Sequence, residues 1–363
     1  ALEPHGRGAL AMRDLFPLEP NRVLFFTLAA FGVSALACRV FADVAVRIGL
    51  VDEPGGRKHH EGAIPLTGGI AIYAGFAAAA LGSELVTGPT LALVVASGVL
   101  IIGGAADDMH DITARSKFML ELIAALFMTS WAGVYVAKLG NLFGFGPVNL
   151  YDWAIPFSVV CALGVMNAIN MLDGLDGAAG GTSLVAAAWL ALAAALQGLG
   201  TRALLLLLLC GAIAGFLAWN LRVPPLRRQA RVFMGDAGSL MLGFALCWFC
   251  IDLTQGAGRT LPPIVCVWIL AVPLLDMARV MFERLRRRQD LFDADREHLH
   301  HFLLARGLSH HHAALAMIGL SALTGAIGIG AWRLGVPESL LTYLFFAVLV
   351  AILFAGTGRP RAE

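Results

Sequence analysis

Long apolar runs dominate this chain and limit what it can fold into. Eleven of them are long enough to cross a bilayer as helices, which takes about 17 to 25 residues. They cover approximately residues 22–48, 68–86, 90–106, 118–137, 153–170, 180–199, 203–220, 238–254, 261–281, 314–333 and 338–356. Backbone polar groups inside lipid must be satisfied within the segment, so these runs are expected to be helices. The sequence predicts an all-α integral membrane protein, a polytopic bundle of about 11 transmembrane helices.

Composition supports one integral domain and excludes the soluble classes. Charged residues make up 14% of the 363 residues, against about 25% in a soluble domain. We expect a polar N-terminal extension over residues 1–21, a single transmembrane domain over 22–356 and a short tail over 357–363. The extension lacks the apolar core of a signal peptide, and Met12 is a candidate native start. A net charge of +1 gives no reason to expect a nucleic-acid partner.

The distribution of Lys and Arg predicts the orientation. Cytoplasmic loops of membrane proteins are enriched in these residues. If the first span runs inward, most of the 26 Lys and Arg residues fall on the inner side. We therefore expect the N-terminus outside and the C-terminus in the cytoplasm. Nearly every unusual polar cluster then falls in one of five inner loops, which predicts a cytoplasmic functional surface.

The third apolar run ends in a cluster of acidic residues. Its sequence GGAADDMHDITARSK places Asp107, Asp108 and Asp111 at the lipid boundary, with Lys117 just beyond. Adjacent carboxylates repel each other unless a cation or a proton is shared between them. The cluster indicates a divalent metal site or a general base, and the alternative is a solvated helix end with an Asp111–Arg115 pair.

The fifth run continues into NAINMLDGLDGAAGG. Asn170 and Asp173 are one helical turn apart, as are Asp173 and Asp176, and the glycines allow backbone N–H groups to approach a ligand. Oxygen ligands without cysteine favour Mg²⁺ or Mn²⁺ over zinc. The alternative is a glycine-rich helix break with exposed turn residues.

Two further inner loops carry groups suited to metal or phosphate. Asp236 lies between glycines before the eighth run, near the N–H donors of a helix start, where it could also be a plain N-cap. The first loop, GLVDEPGGRKHHEGAIPLTGG, contains Lys58 and could cover a phosphate, or could simply set topology.

The longest inner segment follows the ninth run and is rich in histidine. Arg296, His298, His300 and His301 could hold phosphate oxygens, whereas their spacing matches no closed zinc pattern. Clustered carboxylates and amides together with Arg, Lys and His are the combination that phosphoryl transfer needs. No Walker A or GxGxxG fingerprint occurs, so the soluble nucleotide folds are unsupported.

In this order, the motifs resemble those of the polyprenyl-phosphate N-acetylhexosamine-1-phosphate transferases, over roughly residues 22–356. The matching segments are VDEPGGRKHHEGAIPLTGG, GGAADDMHD, NAINMLDGLDG, VFMGDAGSL and DREHLHH. The first loop and HLHH look like the bacterial WecA-like branch. That branch moves N-acetylglucosamine 1-phosphate from a UDP-sugar to undecaprenyl phosphate, releases UMP and initiates cell-surface polysaccharide synthesis.

The resemblance implies roles for individual residues. Asp107, Asp108 and Asp173 match catalytic positions, although Asp173 could instead orient its neighbours. Asn170 and Asp236 match ligands of Mg²⁺, with Mn²⁺ as a substitute. The positions expected to bind substrate are Lys58, Lys117, Gly174, Asp176, Arg296, His298, His300 and His301. The implied partners are a UDP-N-acetylhexosamine, undecaprenyl phosphate and the bilayer of the bacterial inner membrane, and a homodimer is left open.

Several alternatives remain at this point. Within the family, the MraY branch transfers phospho-MurNAc-pentapeptide and has a different first-loop signature. Outside it, a secondary transporter would place charges and broken helices near the bilayer midplane, often in repeated halves, which this sequence does not show. For the chemistry we expect a one-step in-line attack, and the rival is a two-step route through an aspartyl-phosphate.

Overall fold

The protein is described here from a computed structural model over residues 18–53, 62–84, 86–110, 112–222, 229–256, 258–288 and 298–355. Within these ranges the chain is a bundle of helices with two short hairpins. The helices are α1 Pro20–Ile48, α2 Gly68–Gly82, α3 Gly88–His110, α4 Ala114–Leu126, α5 Ala154–Leu172, α6 Ala178–Leu196, α7 Gly200–Asn220, α8 Gly235–Thr254, α9 Pro263–Ile269, α10 Ala271–Arg287, α11 Leu299–Ala305, α12 His310–Arg333 and α13 Glu338–Ala355. The strands are β1 Val51–Asp52, β2 Ile64–Pro65, β3 Lys138–Gly140 and β4 Val148–Asn149, paired antiparallel as β1–β2 and β3–β4.

All eleven predicted runs contain a helix, so the all-α class is confirmed, but the count of eleven spans is not. Seven of the described helices are long and apolar enough to cross a membrane, namely α1, α3, α5 with the turn before it, α6, α7, α8 and α12. Helices α9 and α10 are bent by 78° relative to each other at a short break. If the pair is counted as one broken span, it adds an eighth. Pro273 explains the break, since it has no N–H to donate to the carbonyl of Ile269 one turn earlier.

The run predicted over 118–137 is also shorter than expected. Helix α4 continues through a π-helical turn, Phe127–Trp131, and then stops. Gly133 follows with a φ of +67°, a left-handed conformation that favours glycine and ends helices. The chain then runs into the β3–β4 hairpin, which a purely apolar reading of the run could not anticipate.

Helix α8 is the centre of the bundle. It is buried along nearly its whole length and packs against α2, α3, α5 and α6. Helix α1 packs on the outside of α2 and α7. The central position of α8 explains why its sequence is apolar on all sides, as expected for a helix surrounded by other helices.

The bundle has two ends that differ in character. We call the site end the one where α3, α5 and α7 finish and α8 begins. The opposite end carries the β3–β4 hairpin, the α6–α7 turn and the end of α8, where Arg202 pairs with Asp252 at 3.0 Å and Gln255 accepts from the N–H of Lys138 at 3.1 Å. Every described segment that the sequence assigned to an inner loop lies at the site end.

Close approach of α1 and α7 depends on Gly211 and Gly215, which are one turn apart on α7. A Cβ at either position would overlap the backbone carbonyl of Thr27 or Phe31 on α1. Small residues at such a spacing let helix backbones approach closely, which is how helices associate in lipid.

We expect Gly215→Ala to lower the apparent melting temperature in detergent, because the added methyl must push α1 away from α7. Overpacking of this kind costs about 1 to 3 kcal/mol. The matched control is Gly164→Ala on α5, where a Cβ meets no atom within 4 Å. Equal melting temperatures for the two variants, measured by a thermal unfolding assay, would contradict the close α1–α7 contact.

Candidate functional site

The site begins with the carboxylate of Asp108, which caps helix α8. Asp108 lies in the last turn of α3, and its Oδ1 and Oδ2 accept from the backbone N–H groups of Asp236 (2.8 Å) and Ala237 (3.3 Å). These N–H groups have no partner within the helix, and the positive end of the helix dipole favours a negative charge there. The sequence analysis left open that Asp236 itself is the N-cap of this helix. Instead Asp236 lies in the first turn of α8, and a carboxylate from another helix satisfies the donors.

Gly235 makes this capping contact possible. Its φ is +73°, and a Cβ at this position would lie 2.5 Å from Asp108 Oδ2. A larger residue would both strain the backbone and displace the carboxylate, which accounts for the glycine before Asp236.

Lys117 is shared by two carboxylates. Its Nζ lies 3.4 Å from Asp107 Oδ2 and also forms a short ion pair with Asp236 Oδ2. Asp107 accepts in addition from the N–H of Ile112 at 3.0 Å. The two adjacent carboxylates thus do not share one cation: Lys117 joins Asp107 to Asp236, and Asp108 is held by the N–H groups of α8 instead.

Asn170 and Asp236, the predicted metal ligands, are in direct contact. Asn170 Nδ2 donates to Asp236 Oδ1 at 2.8 Å and to Ser239 Oγ at 2.9 Å. One turn earlier, Asn167 donates to Glu121 Oε2 at 2.7 Å. Glu121 is buried and was not singled out from the sequence, although a lone glutamate within an apolar run was a signal.

The oxygen donors fit a magnesium ion that is completed by substrate. Among the residues the structure describes, no three His, Cys, Asp or Glu side chains form a ready metal cage. Asp236 and the amide oxygen of Asn170 could reach one ion if the amide rotated. Mg²⁺ in proteins usually keeps several waters and binds through one or two carboxylates plus substrate phosphates. The residues present therefore fit this ion only together with a phosphorylated ligand.

Asp173 lies at the turn after α5, close to three other carboxylates. Restricted access to solvent raises its pKa well above the usual value, and the negative charges of Asp236, Asp108 and Asp176 raise it further. Among the described residues, no cation pairs with Asp173 in the way that Lys117 pairs with Asp107, so ionisation of this group opposes folding.

Asp176 and Gly177 tie the turn after α5 to the segment after α7. Asp176 forms an ion pair with Arg222 Nε, and the N–H of Gly177 donates to Asn220 Oδ1 at 2.7 Å. Asn220 in turn donates to the carbonyl of Val232 at 2.9 Å. The Asp176 carboxylate, which was expected to bind substrate, is thus paired with an arginine that the sequence analysis did not assign.

The histidine segment reaches the same end of the bundle. His300 lies against Gly174, where a Cβ would come within 2.6 Å of its Cε1. Burial, together with the neighbouring His301 and His298, lowers the pKa of His300 to about 3, so the ring is neutral at physiological pH. His301 lies next to it, with ring centroids 4.2 Å apart.

The structure places nine of the thirteen predicted site residues in two groups of contacts, one around Lys117 and Asp236 and one around His300 and Gly174. They are Asp107, Asp108, Lys117, Asn170, Asp236, Gly174, His298, His300 and His301. Asp173 and Asp176 lie within the turn that joins these two groups. Lys58 and Arg296, like Asp111, lie outside the described residues and stay predictions.

We expect Asp173→Asn to raise the apparent melting temperature at about pH 7.5. At that pH, ionisation of the wild-type carboxyl lowers the stability of the folded protein. A raised pKa means that the folded state binds this proton more tightly than the unfolded state. Stability therefore falls as pH rises above the usual value of 3.8, and the difference between variant and wild type shrinks toward that pH. Asp43→Asn, at an exposed carboxylate paired with Arg39, is the control and should change little at either pH. Equal melting curves for Asp173→Asn and wild type at neutral pH would contradict this account.

Comparison with known proteins connects this geometry to a family. The profile of glycosyl transferase family 4 matches residues 90–254, which include every site residue from Asp107 to Asp236. The chain is 34% identical over 324 residues to an undecaprenyl-phosphate alpha-N-acetylglucosaminyl 1-phosphate transferase of Yersinia pestis, covering 89% of this chain and 87% of the relative. It is 35% identical over 321 residues to the protein of the same name from Escherichia coli O157:H7, covering 88% and 86%. Because the profile matches and these relatives are about 34% identical over most of the chain, the chain belongs to glycosyl transferase family 4.

Proposed function

We propose that the protein transfers N-acetylglucosamine 1-phosphate from UDP-N-acetylglucosamine to undecaprenyl phosphate. The observation that carries the proposal is the cluster of Asp107, Asp108, Lys117, Asn170 and Asp236 at one end of an apolar bundle. The relatives are named for this transfer, and they align over nearly the whole chain. Carboxylates, amides and a shared lysine at the ends of spans suit two phosphorylated reactants, one of them held in the bilayer.

The reaction is proposed to be a one-step displacement. A phosphate monoester has a second pKa near 6, so the lipid phosphate is already largely a dianion at neutral pH. Its oxygen attacks the β-phosphorus of the UDP-sugar, the bond from that phosphorus to the bridging oxygen breaks, and UMP leaves. Positioning and charge neutralisation, rather than a strong base, then supply most of the rate.

The residues of the site divide this task. Lys117 provides a positive charge between Asp107 and Asp236, where it can move toward a phosphoryl oxygen when substrate enters. Asp108 keeps α8 in place, so that Asp236 and Asn170 stay in register. His300 is neutral and can donate to or accept from a phosphate or sugar group without adding charge.

A bound Mg²⁺ would supply charge neutralisation on the pyrophosphate of the donor. Asn170 and Asp236 are the residues proposed to hold it, because their oxygens are the hard donors that this cation prefers. Mn²⁺ is expected to substitute because it accepts the same kind of ligand.

The proposed setting is the bacterial inner membrane, with the site end and the C-terminus facing the cytoplasm and the N-terminus outside. The excess of Lys and Arg in the segments assigned to the site end supports this orientation.

Purified protein with undecaprenyl phosphate and a panel of UDP-sugars tests the reaction. We expect UMP release only when donor, acceptor and Mg²⁺ are all present, with UDP-N-acetylglucosamine the best donor. A failure to release UMP from any UDP-N-acetylhexosamine would overturn the proposed function. UMP release without acceptor, together with radiolabelled enzyme, would overturn the one-step route and favour an aspartyl-phosphate.

We expect Asp236→Asn to lower kcat by about 100-fold or more, as is usual when a contact to a developing charge is removed. The Mg²⁺ concentration for half-maximal rate should also rise, because an amide binds the ion less well than a carboxylate. Asp252→Asn is the matched control, since Asp252 is also paired with a cation but lies at the opposite end. An unchanged Mg²⁺ dependence in Asp236→Asn would remove Asp236 from the metal site.

A further inference from the structure

Helix α11 has an anchor that no motif of the sequence indicated. Asp276, on α10, accepts from the backbone N–H of Leu299 at 2.7 Å through Oδ1 and contacts His298 Nδ1 at 3.0 Å through Oδ2. Only 2% of the Asp276 side chain is exposed. Both residues lie beyond residues 90–254, the part of the chain that the family profile matches.

The chemistry of the pair sets the state of the imidazole. A carboxylate can only accept, so His298 Nδ1 must carry the hydrogen of this contact. In a neutral ring, the other nitrogen, Nε2, is then an acceptor. The second contact, to the N–H of Leu299, satisfies a donor in the first turn of α11, because no side chain of α11 itself caps that helix.

The contacts continue from His298 toward the reaction site. The rings of His298 and His300 are parallel, with centroids 5.6 Å apart. On its other side, His300 lies against Gly174, next to Asp173. A continuous line of neighbouring side chains thus runs from Asp276 on α10 through His298 and His300 to Gly174 in the turn after α5.

His300 shows that this line ends at a place prepared for a ligand. The residue is 3% exposed, and its Nδ1 has no hydrogen-bond partner among the residues that the structure describes. A buried polar nitrogen without a partner is costly unless a substrate group completes it. The direction of the His300 ring is therefore a functional requirement, and Asp276 reaches it through His298.

We propose that Asp276 is a positioning residue for the transfer reaction, which holds His298 in one tautomer and thereby sets His300 against Gly174. The proposal rests on the proposed function. Arg279 is the other charged group beside Asp276, but its Nη2 lies 3.7 Å from Oδ1, beyond hydrogen-bonding distance. Among the contacts described for Asp276, those to α11 are thus the two direct hydrogen bonds.

Asp276→Asn separates positioning from simple packing. The asparagine oxygen can still accept from Leu299, but its NH₂ group would face His298 Nδ1 and force the hydrogen to Nε2. We expect kcat to fall by about 10- to 100-fold, the usual cost of losing a partner that orients a functional histidine. The KM for the UDP-sugar and the apparent melting temperature should change little.

A double-mutant cycle with His298→Gln tests whether Asp276 acts through His298. If it does, Asp276→Asn should cost less than about 2-fold when His298 is already glutamine, because the interaction is gone. Asp252→Asn, the half-buried acidic control at the opposite end, should leave kcat unchanged in both backgrounds. The inference would be overturned if the kcat losses of Asp276→Asn and His298→Gln multiplied in the double variant, or if Asp276→Asn kept full kcat. As long as the wild type is active, the proposed function would still stand.

Nitrogen NMR of ¹⁵N-histidine-labelled protein in detergent gives a second test that needs no turnover. The signal of His298 is assigned by its loss in His298→Gln. In the wild-type protein, this signal should show a protonated Nδ1. The finding of an Nε2–H tautomer there would overturn the inference, whether or not Asp276→Asn folds. A wild type without turnover, by contrast, would overturn the proposed function, and the tautomer would still report on the Asp276–His298 contact.

Discussion

The site depends on one contact between two helices, the carboxylate of Asp108 on the N-terminus of α8. A helix that begins inside a bundle exposes N–H groups that neither lipid nor a neighbouring apolar side chain can satisfy. Asp108 takes up two of them, and the absence of a side chain at Gly235 leaves room for it. Because α8 packs against α2, α3, α5 and α6, the position of its first turn sets the position of Asp236 relative to Asn170 and Lys117.

Charge at the site end is arranged unevenly. Asp107 and Asp236 share Lys117, and Asp176 has Arg222, whereas Asp173 has neighbouring carboxylates that raise its pKa. Such an arrangement costs stability in the folded protein without ligand. It leaves hard oxygen donors and a mobile ammonium group close together, which is what phosphate-bearing substrates and a divalent cation require. The neutral histidines add hydrogen bonding without adding charge.

Sequence reasoning singled out residues that lie close together in the structure where polar groups stand at the ends of apolar helices. The acidic pair after the third run, the Asn170–Asp176 stretch and Asp236 were all singled out, because polar groups at the ends of apolar helices are costly and seldom incidental. Glu121 and Asp276 were missed because each lies within an apolar helix, with no neighbouring motif to mark it. The count of eleven spans is not confirmed, because length and hydropathy do not reveal the bend at Leu270 or the end, at Trp131, of the π-helical turn that follows α4.

The sequence by itself determined the class of the protein, the helical nature of its apolar runs and the set of side chains that gather at one end. These follow from composition and from the need to satisfy backbone hydrogen bonds in lipid, which act on each segment separately. Only the tertiary structure decided which residue serves which partner. Asp108 rather than Asp236 caps α8, Lys117 joins two carboxylates 129 residues apart in sequence numbering, from 107 to 236, and Asp276 reaches His298 across two helices. Such pairings depend on how helices cross, and no local pattern in the chain records the crossing.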